Sequence, residues 1–204
     1  MKKLLVIFSA VLLLTAFSGS ALALTWATSM AEIYAAGGLD VAIPGNEYDF
    51  MSSIADPFGG TITFDKPVEK RIVGSSWTTW SHGYTGPVLA AIDQTSVRLD
   101  FDYAIFGWGM YVEPNNFDFF DITVGLSDGS TSTKLVEGFA GAEFFGFTDG
   151  AINWLEISAD PDAFGFAFGE MVMAKEGGVV PEPTTVILFG LGLLGLGAMK
   201  RRKK

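Results

Sequence analysis

His82 is the single histidine in the 204-residue chain, and cysteine is absent. That inventory removes thiolate nucleophiles and Cys-ligated zinc, and all but removes histidine-based triads and His-ligated metal clusters. The Gly-x-Ser-x-Gly spacing at Gly125 to Gly129 falls in a hydroxyl-rich hairpin tip and not in a strand-to-helix elbow, and no glycine loop follows a strand and opens a helix as a phosphate cradle would. No catalytic residue is assigned on these grounds. Acids are what remains. Asp100, Asp102, Asp118 and Asp121 lie near expected strand ends, and two acids facing one cleft with separated pKa values would make a glycoside-hydrolase dyad. The plain alternative is solvated strand faces and turn caps. Hard oxygen donors also suit calcium as a structural cofactor: Asp160, Asp162 and Glu170 form one candidate set, Asp118 and Asp121 another, neither at the spacing of a twelve-residue calcium loop.

The segment from Ser76 to Tyr84, Ser-Trp-Thr-Thr-Trp-Ser-His-Gly-Tyr, has a different chemistry. Indole and phenol faces flanked by hydroxyls can stack on the C–H face of a pyranose while polar groups hold its hydroxyls. Trp77, Trp80 and Tyr84 are therefore the candidate sugar-binding residues. In a regular strand, Trp77 and Trp80 point to opposite faces. One of the two is then expected in the core.

These residues sit in a strongly acidic middle segment. The chain has a formal charge of −10, yet seven of its thirteen Lys/Arg lie at the extreme termini, and residues 24–180 hold 22 Asp/Glu against six Lys/Arg. A nucleic-acid partner is excluded on that balance, because phosphate neutralisation needs basic groups. The same segment carries 20 of the 25 glycines and 15 of the 18 phenylalanines, enough apolar bulk for one domain over residues 24–176.

From Gly60 onward the apolar period is two. Ile62 and Phe64 alternate with polar neighbours, as do Val97, Leu99, Phe101 and Tyr103, and again Ile122, Val124 and Leu126; each run reads as a strand with one wet face. Phe164, Phe166 and Phe168 alternate with small residues, which suits a strand under a close neighbour. Turn signals fall at Asp56-Pro57, Asp65-Lys66-Pro67, Glu113 to Asn116, Ser127 to Ser130, Asp149-Gly150 and Asp160 to Asp162. Only residues 28–37 suggest a helix, and a short one. The pattern predicts a mostly β domain, an antiparallel β-sandwich of jelly-roll type.

Both ends are specialised. Met-Lys-Lys, an apolar run from Leu4 to Phe17 and a small-residue stretch ending Ala21-Leu22-Ala23 read as a secretory signal over residues 1–23. Ala21 and Ala23 would fit the narrow subsites of signal peptidase. At the other end, residues 184–199 carry no charge, and Lys200, Arg201, Arg202, Lys203 and Lys204 follow at once. Sixteen uncharged residues make a helix of about 24 Å, slightly short of a hydrocarbon core of about 30 Å. Snorkelling lysines and local thinning allow it to span, and the basic stop-transfer flank places the tail in the cytoplasm with the domain outside. Before the span, Gly177-Gly178 and Pro181-Glu182-Pro183 form an extended tether that cannot join a helix interior.

Pro181-Glu182-Pro183, a Gly/Leu-rich span, a terminal basic cluster and an N-terminal signal, in that order, resemble the PEP-CTERM sorting signal of envelope proteins of Gram-negative, often biofilm-forming bacteria. The resemblance covers residues 177–204 and the signal peptide. It implies that Pro181, Glu182 and Pro183 are recognition residues for exosortase, a membrane-embedded processing enzyme. It also implies membrane anchoring before processing, and the cell surface or an exopolysaccharide matrix as the destination. Residues 95–174 are similar in order to the lectin-like sandwich that often precedes such tails: Ala104 to Gly109, Phe144 to Thr148, Ile152 to Ile157 and Ala163 to Phe166 carry the likeness. That pattern commonly ends in Gly-Ile-Asp-Asp, where this chain has Phe168-Gly169-Glu170-Met171. The expected role is structural or binding and not enzymatic; the alternatives are a carbohydrate-binding module, assisted by calcium or not, and a secreted glycosidase.

Overall fold

The computed structural model describes residues 24–175. The expected signal peptide with Ala21 and Ala23, the motif Pro181, Glu182 and Pro183, the expected span 184–199 and the basic residues 200–204 lie outside the described residues. Among those described, no helix is long and apolar enough to cross a membrane.

Twelve strands and one short helix make up the domain: β1 (Thr25–Trp26), α1 (Met30–Ala35), β2 (Leu39–Asp40), β3 (Phe50–Ala55), β4 (Thr61–Ile72), β5 (Pro87–Ile92), β6 (Ser96–Ile105), β7 (Gly107–Pro114), β8 (Phe119–Leu126), β9 (Thr131–Glu137), β10 (Glu143–Thr148), β11 (Ile152–Ala159) and β12 (Gly165–Ala174). All pair antiparallel in one hydrogen-bonded sheet; ten run in the order β1-β10-β7-β12-β5-β4-β6-β11-β8-β9, while β2 pairs with β12 and β3 with β4. The antiparallel β architecture expected from the periodicity is present. Its two faces, however, are halves of one sheet that curls over, not separate sheets.

β4 is the corner. Its first residues pair with β6 through Ile62, Thr63 and Phe64, and its last with β5 through Glu69 to Ile72. Asp65-Lys66-Pro67, expected to be a turn, lies inside this twelve-residue strand. The reason is that the same residues that break a ladder also let a strand change neighbours. Pro67 has no N–H to donate, Asp65 Oδ1 accepts from the Arg98 backbone N–H at 2.7 Å, and Lys66 Nζ donates to the Ser96 carbonyl at 2.8 Å.

The halves close on a common core. Phe101 of β6 meets Trp108 of β7 with ring centroids 5.4 Å apart, and Phe64 meets Phe168 edge-on at 6.2 Å. On β6, β8 and β11 burial alternates as expected. On β5, β7, β10 and β12 almost every residue is buried, because α1 and the β4–β5 connection, residues 73–86, cover the outer face of that half. Gly109 lets α1 seat there: a Cβ would stand 2.9 Å from both Ile33 and Met30.

Phe164 is a correction to the alternation at residues 164–168. It does not join the strand. It ends a short 3-10 turn, Pro161–Ala163, in left-handed conformation and is exposed, whereas Phe166 and Phe168 are fully buried. The strand begins instead at Gly165, whose φ of +102° and contact with the Ala91 carbonyl exclude a side chain.

Candidate functional site

The covered half holds the residues of chemical interest. Inward-facing Trp108, Met110 and Val112 of β7 join the main core, so strand parity puts Tyr111 and Glu113 on the outer face. β12 begins with Phe166 and Phe168 facing the core. The β12–β7 register then slips between Gly169 and Val172, and afterwards Met171 and Met173 face the core. Glu170 stands at the slip with φ +50°. Strict alternation would send its carboxylate into the core; the bulge delivers it outward.

The connection over residues 73–86 lies across these strands and is held by the two acids. Trp77 Nε1 donates to Glu113 Oε2 at 2.6 Å, and Trp80 Nε1 donates to Glu170 Oε1 at 2.8 Å. Glu113 accepts further bonds at 3.3 Å from Thr79 Oγ1 and from the Gly141 backbone N–H. His82 Nε2 lies 3.1 Å from Glu170 Oε2, with its ring 4.5 Å from that of Tyr111. No cation faces Glu113 in these contacts. Burial therefore pushes its carboxyl up to about 7, against the opposing effect of the bonds from Trp77 and Thr79.

Trp77 and Trp80 are both only 6% exposed. One core indole was expected; the structure buries two, and their order along the segment is irregular enough for both to face the sheet. A stacking platform needs an open ring face, and neither indole presents one. Tyr84 is half-buried, donates through its hydroxyl to the Pro87 carbonyl at 2.9 Å and lines a cleft of about 340 Å³ together with Tyr34, Asp40, Val41, Glu170 and Met171. Tyr34 Oη donates to Asp40 Oδ1 at 2.5 Å. That bond, with burial and the charges of Asp40 and Glu170, pushes the Tyr34 phenol up to about 12. Burial, with Glu170 adding to it, pushes Tyr84 to about 12. On the other side of residues 73–86, Trp77, Thr79, Glu113, Asn115 and Phe117 line a smaller cleft of about 130 Å³.

The other candidate acids are dispersed. Asp100 pairs with Arg98 at 3.1 Å, Asp102 accepts from the Thr61 backbone N–H at 2.9 Å, and Asp118 accepts from the Phe119 backbone N–H at 2.8 Å. Asp121 is exposed on β8, and neither cleft is lined by any of the four. Asp160 caps the 3-10 turn by accepting from the Asp162 backbone N–H, while Glu170 is engaged by Trp80 and His82. Among the described residues no three His, Asp or Glu gather as metal ligands.

Glu113 carries no mark of a functional residue in the sequence. It falls within the turn signal Glu113 to Asn116, and a charged residue one step from a buried valine resembles a solvated face. A usable signal lay elsewhere: two tryptophans near a core require acceptors for two indole N–H groups.

A PEP-CTERM protein-sorting motif occupies residues 179–203. It implies an exported chain, anchored in the membrane before exosortase processing and then delivered to the cell surface. No curated protein matches the chain. Among solved structures it is similar to the enzymatically active domain of tailspike protein 4 of bacteriophage CBA120, at 9% identity and a TM-score of 0.29. That match covers 56% of this chain and 19% of that one; so distant a likeness bears on neither fold nor function.

Proposed function

We propose that the chain is a non-enzymatic envelope protein whose curled antiparallel β ectodomain serves a structural or binding role in an exopolysaccharide matrix. Signal peptidase and exosortase act on it as processing enzymes. The observation that carries this reading is the sorting motif at 179–203, directly after a domain that ends on β12. That strand is interior, paired with β7 on one side and with β5 and β2 on the other, so a pull on the tail loads the centre of the sheet and not a peelable edge. Pro181, Glu182 and Pro183 are the exosortase recognition residues, and the uncharged stretch 184–199 with the basic residues 200–204 holds the precursor in the membrane.

The test is intact mass and cell fractionation in the native host, with Pro181-Glu182-Pro183 replaced by three alanines in parallel. The wild type is expected to begin at Leu24, to lack the span and to reach the surface or matrix, while the variant stays membrane-bound. Retention of Lys204 in an inner-membrane fraction by both forms would reduce the tail to an anchor and end the sorting reading.

Carbohydrate binding is the second reading, and the cleft favours it. Two tyrosines and two carboxylates border an apolar floor, the composition of a small-ligand site. It moves the sugar contact away from Trp77 and Trp80 and keeps Tyr84.

A further inference from the structure

We infer that the cleft between α1, β2 and residues 73–86 takes an ammonium-bearing pyranose, the repeating unit of a cationic amino-sugar polymer. The inference rests on the matrix reading and names its ligand chemistry. At about 340 Å³ the cleft falls within the roughly 300–1,000 Å³ of small-ligand sites. Val41, Pro87 and Met171 supply apolar surface, and Tyr34, 48% exposed, offers an accessible ring face of the kind that stacks on sugar C–H groups and attracts cations.

The polar groups select the charge. Asp40 on β2 and Glu170 on β12 both line the cleft, and no Lys or Arg does. Asp40 takes the Tyr34 hydroxyl on Oδ1, and among the described residues no hydrogen bond reaches its Oδ2. That oxygen stands at an exposed rim, ready to accept a charge-assisted bond from an ammonium group. Glu170 supplies the second negative charge, and it adds to the upward shift of the Tyr34, Tyr84 and Tyr111 phenols. These two carboxylates bring negative charge to the cleft, and the basic groups next to its lining are Lys70, whose ammonium is spent on the Ile43 and Gly45 carbonyls, and His82, which is held by Glu170. An anionic polymer is repelled there, as it is by the 22-to-6 excess of acids over bases in residues 24–180. A neutral sugar keeps the stacking and forfeits the charge-assisted bonds.

The experiment titrates the full-length chain, in non-ionic detergent at pH 6, with a β-1,4-linked glucosamine tetramer, its fully N-acetylated counterpart and an oligogalacturonate, read by calorimetry and tryptophan fluorescence. The glucosamine tetramer is expected to bind about tenfold or more tighter than the acetylated one, to weaken as salt rises, and to outcompete the oligogalacturonate entirely. Asp40→Asn and Tyr34→Ala are each expected to cost about tenfold in affinity while the chain stays folded through the titration, the loss of their mutual bond being read separately from the unfolding midpoint. Asp100→Asn, on the opposite half of the sheet, retains full affinity. Equal binding of the two tetramers, absence of binding, or unchanged affinity in Asp40→Asn would each overturn the inference. A chain that reaches the matrix yet ignores glucosamine loses only this inference; one that binds glucosamine but keeps Lys204 in the inner membrane loses only the matrix reading.

Discussion

The two halves of the sheet share a core and differ in what covers their backs. Among the described residues no segment covers the back of β6, β11, β8 and β9, and polar, partly exposed side chains such as Arg98, Asp100, Thr123 and Glu156 stand on that face. Behind β5, β12, β7 and β10 lie α1 and residues 73–86, so those strands are buried on both sides. The covered half also contains the buried Glu113 and the bulged Glu170. The contrast shows that a second cover has to be fastened by polar groups as well as by packing: two indole N–H groups that enter the cover need two acceptors, and the sheet provides them as carboxylates.

Removing one fastener from the covered half should have the largest effect. Trp77→Ala deletes a 6%-exposed indole from the cluster with Val73, Val88, Ala90 and Ala167 and leaves Glu113 without its shortest bond. A loss of about 3–5 kcal/mol is expected, measured by urea unfolding of the detergent-solubilised chain. A loss below about 1 kcal/mol would mean that residues 73–86 rest on the sheet without contributing to its stability.

The pH dependence of stability should be smaller and should belong to the covered half alone. Glu113 holds its proton to about pH 7 in the folded chain against an ordinary value of 4.5. Between those values the native state binds more protons than the unfolded state, so this group's contribution falls as pH rises from about 4.5 to 7 and is level above that. The span is of order 3 kcal/mol. Glu113→Gln, neutral throughout, should flatten that slope when unfolding midpoints are compared at pH 4.5 and pH 7.5, after allowing for the other carboxylates through the same comparison on Asp100→Asn. An undiminished slope would place the titration elsewhere.

The same contrast explains what could be read from sequence. β6, β8 and β11 were legible because one wet face imposes a period of two; Val97, Leu99 and Phe101 against Arg98 and Asp100 is that signal. β5, β7 and β10 give near-continuous apolar or glycine-rich runs; the likeness to lectin-like sandwiches pointed to strands at β7 and β10, and β5, outside that likeness, went unread. Asp65-Lys66-Pro67 misled because a corner and a turn use the same residues. Glu170 could not be placed because its face depends on a bulge, which shifts parity by one and leaves no compositional mark. Tyr84 kept its place at a cleft, while Trp77 and Trp80 needed the fold to show what covers what.

Trp80→Phe narrows the comparison to one hydrogen bond. The ring volume mostly remains, while Glu170 loses the indole donor at 2.8 Å and keeps His82. A cost of about 1–2 kcal/mol is expected, and it should nearly vanish in a Glu170→Ala background if the bond is the cause, since no side-chain acceptor is then left for the indole to lose.

The smallest effect belongs to the bare half and is the one that could undo the contrast. Thr123 and Thr133 sit opposite each other on β8 and β9, with hydroxyl oxygens 2.8 Å apart on the exposed face. Cross-strand pairs of this kind contribute about 0.2–1 kcal/mol, and truncations on an open face usually fall within about 0.5. Thr133→Ala should therefore shift the urea midpoint barely beyond error, and water can replace the lost hydroxyl contact. A cost above about 1.5 kcal/mol could not come from that pair alone. It would mean that something covers the back of β8 and β9 in the full-length chain as residues 73–86 cover β7 and β12. The difference between the halves would then lie in which segment supplies the cover, since both would have one.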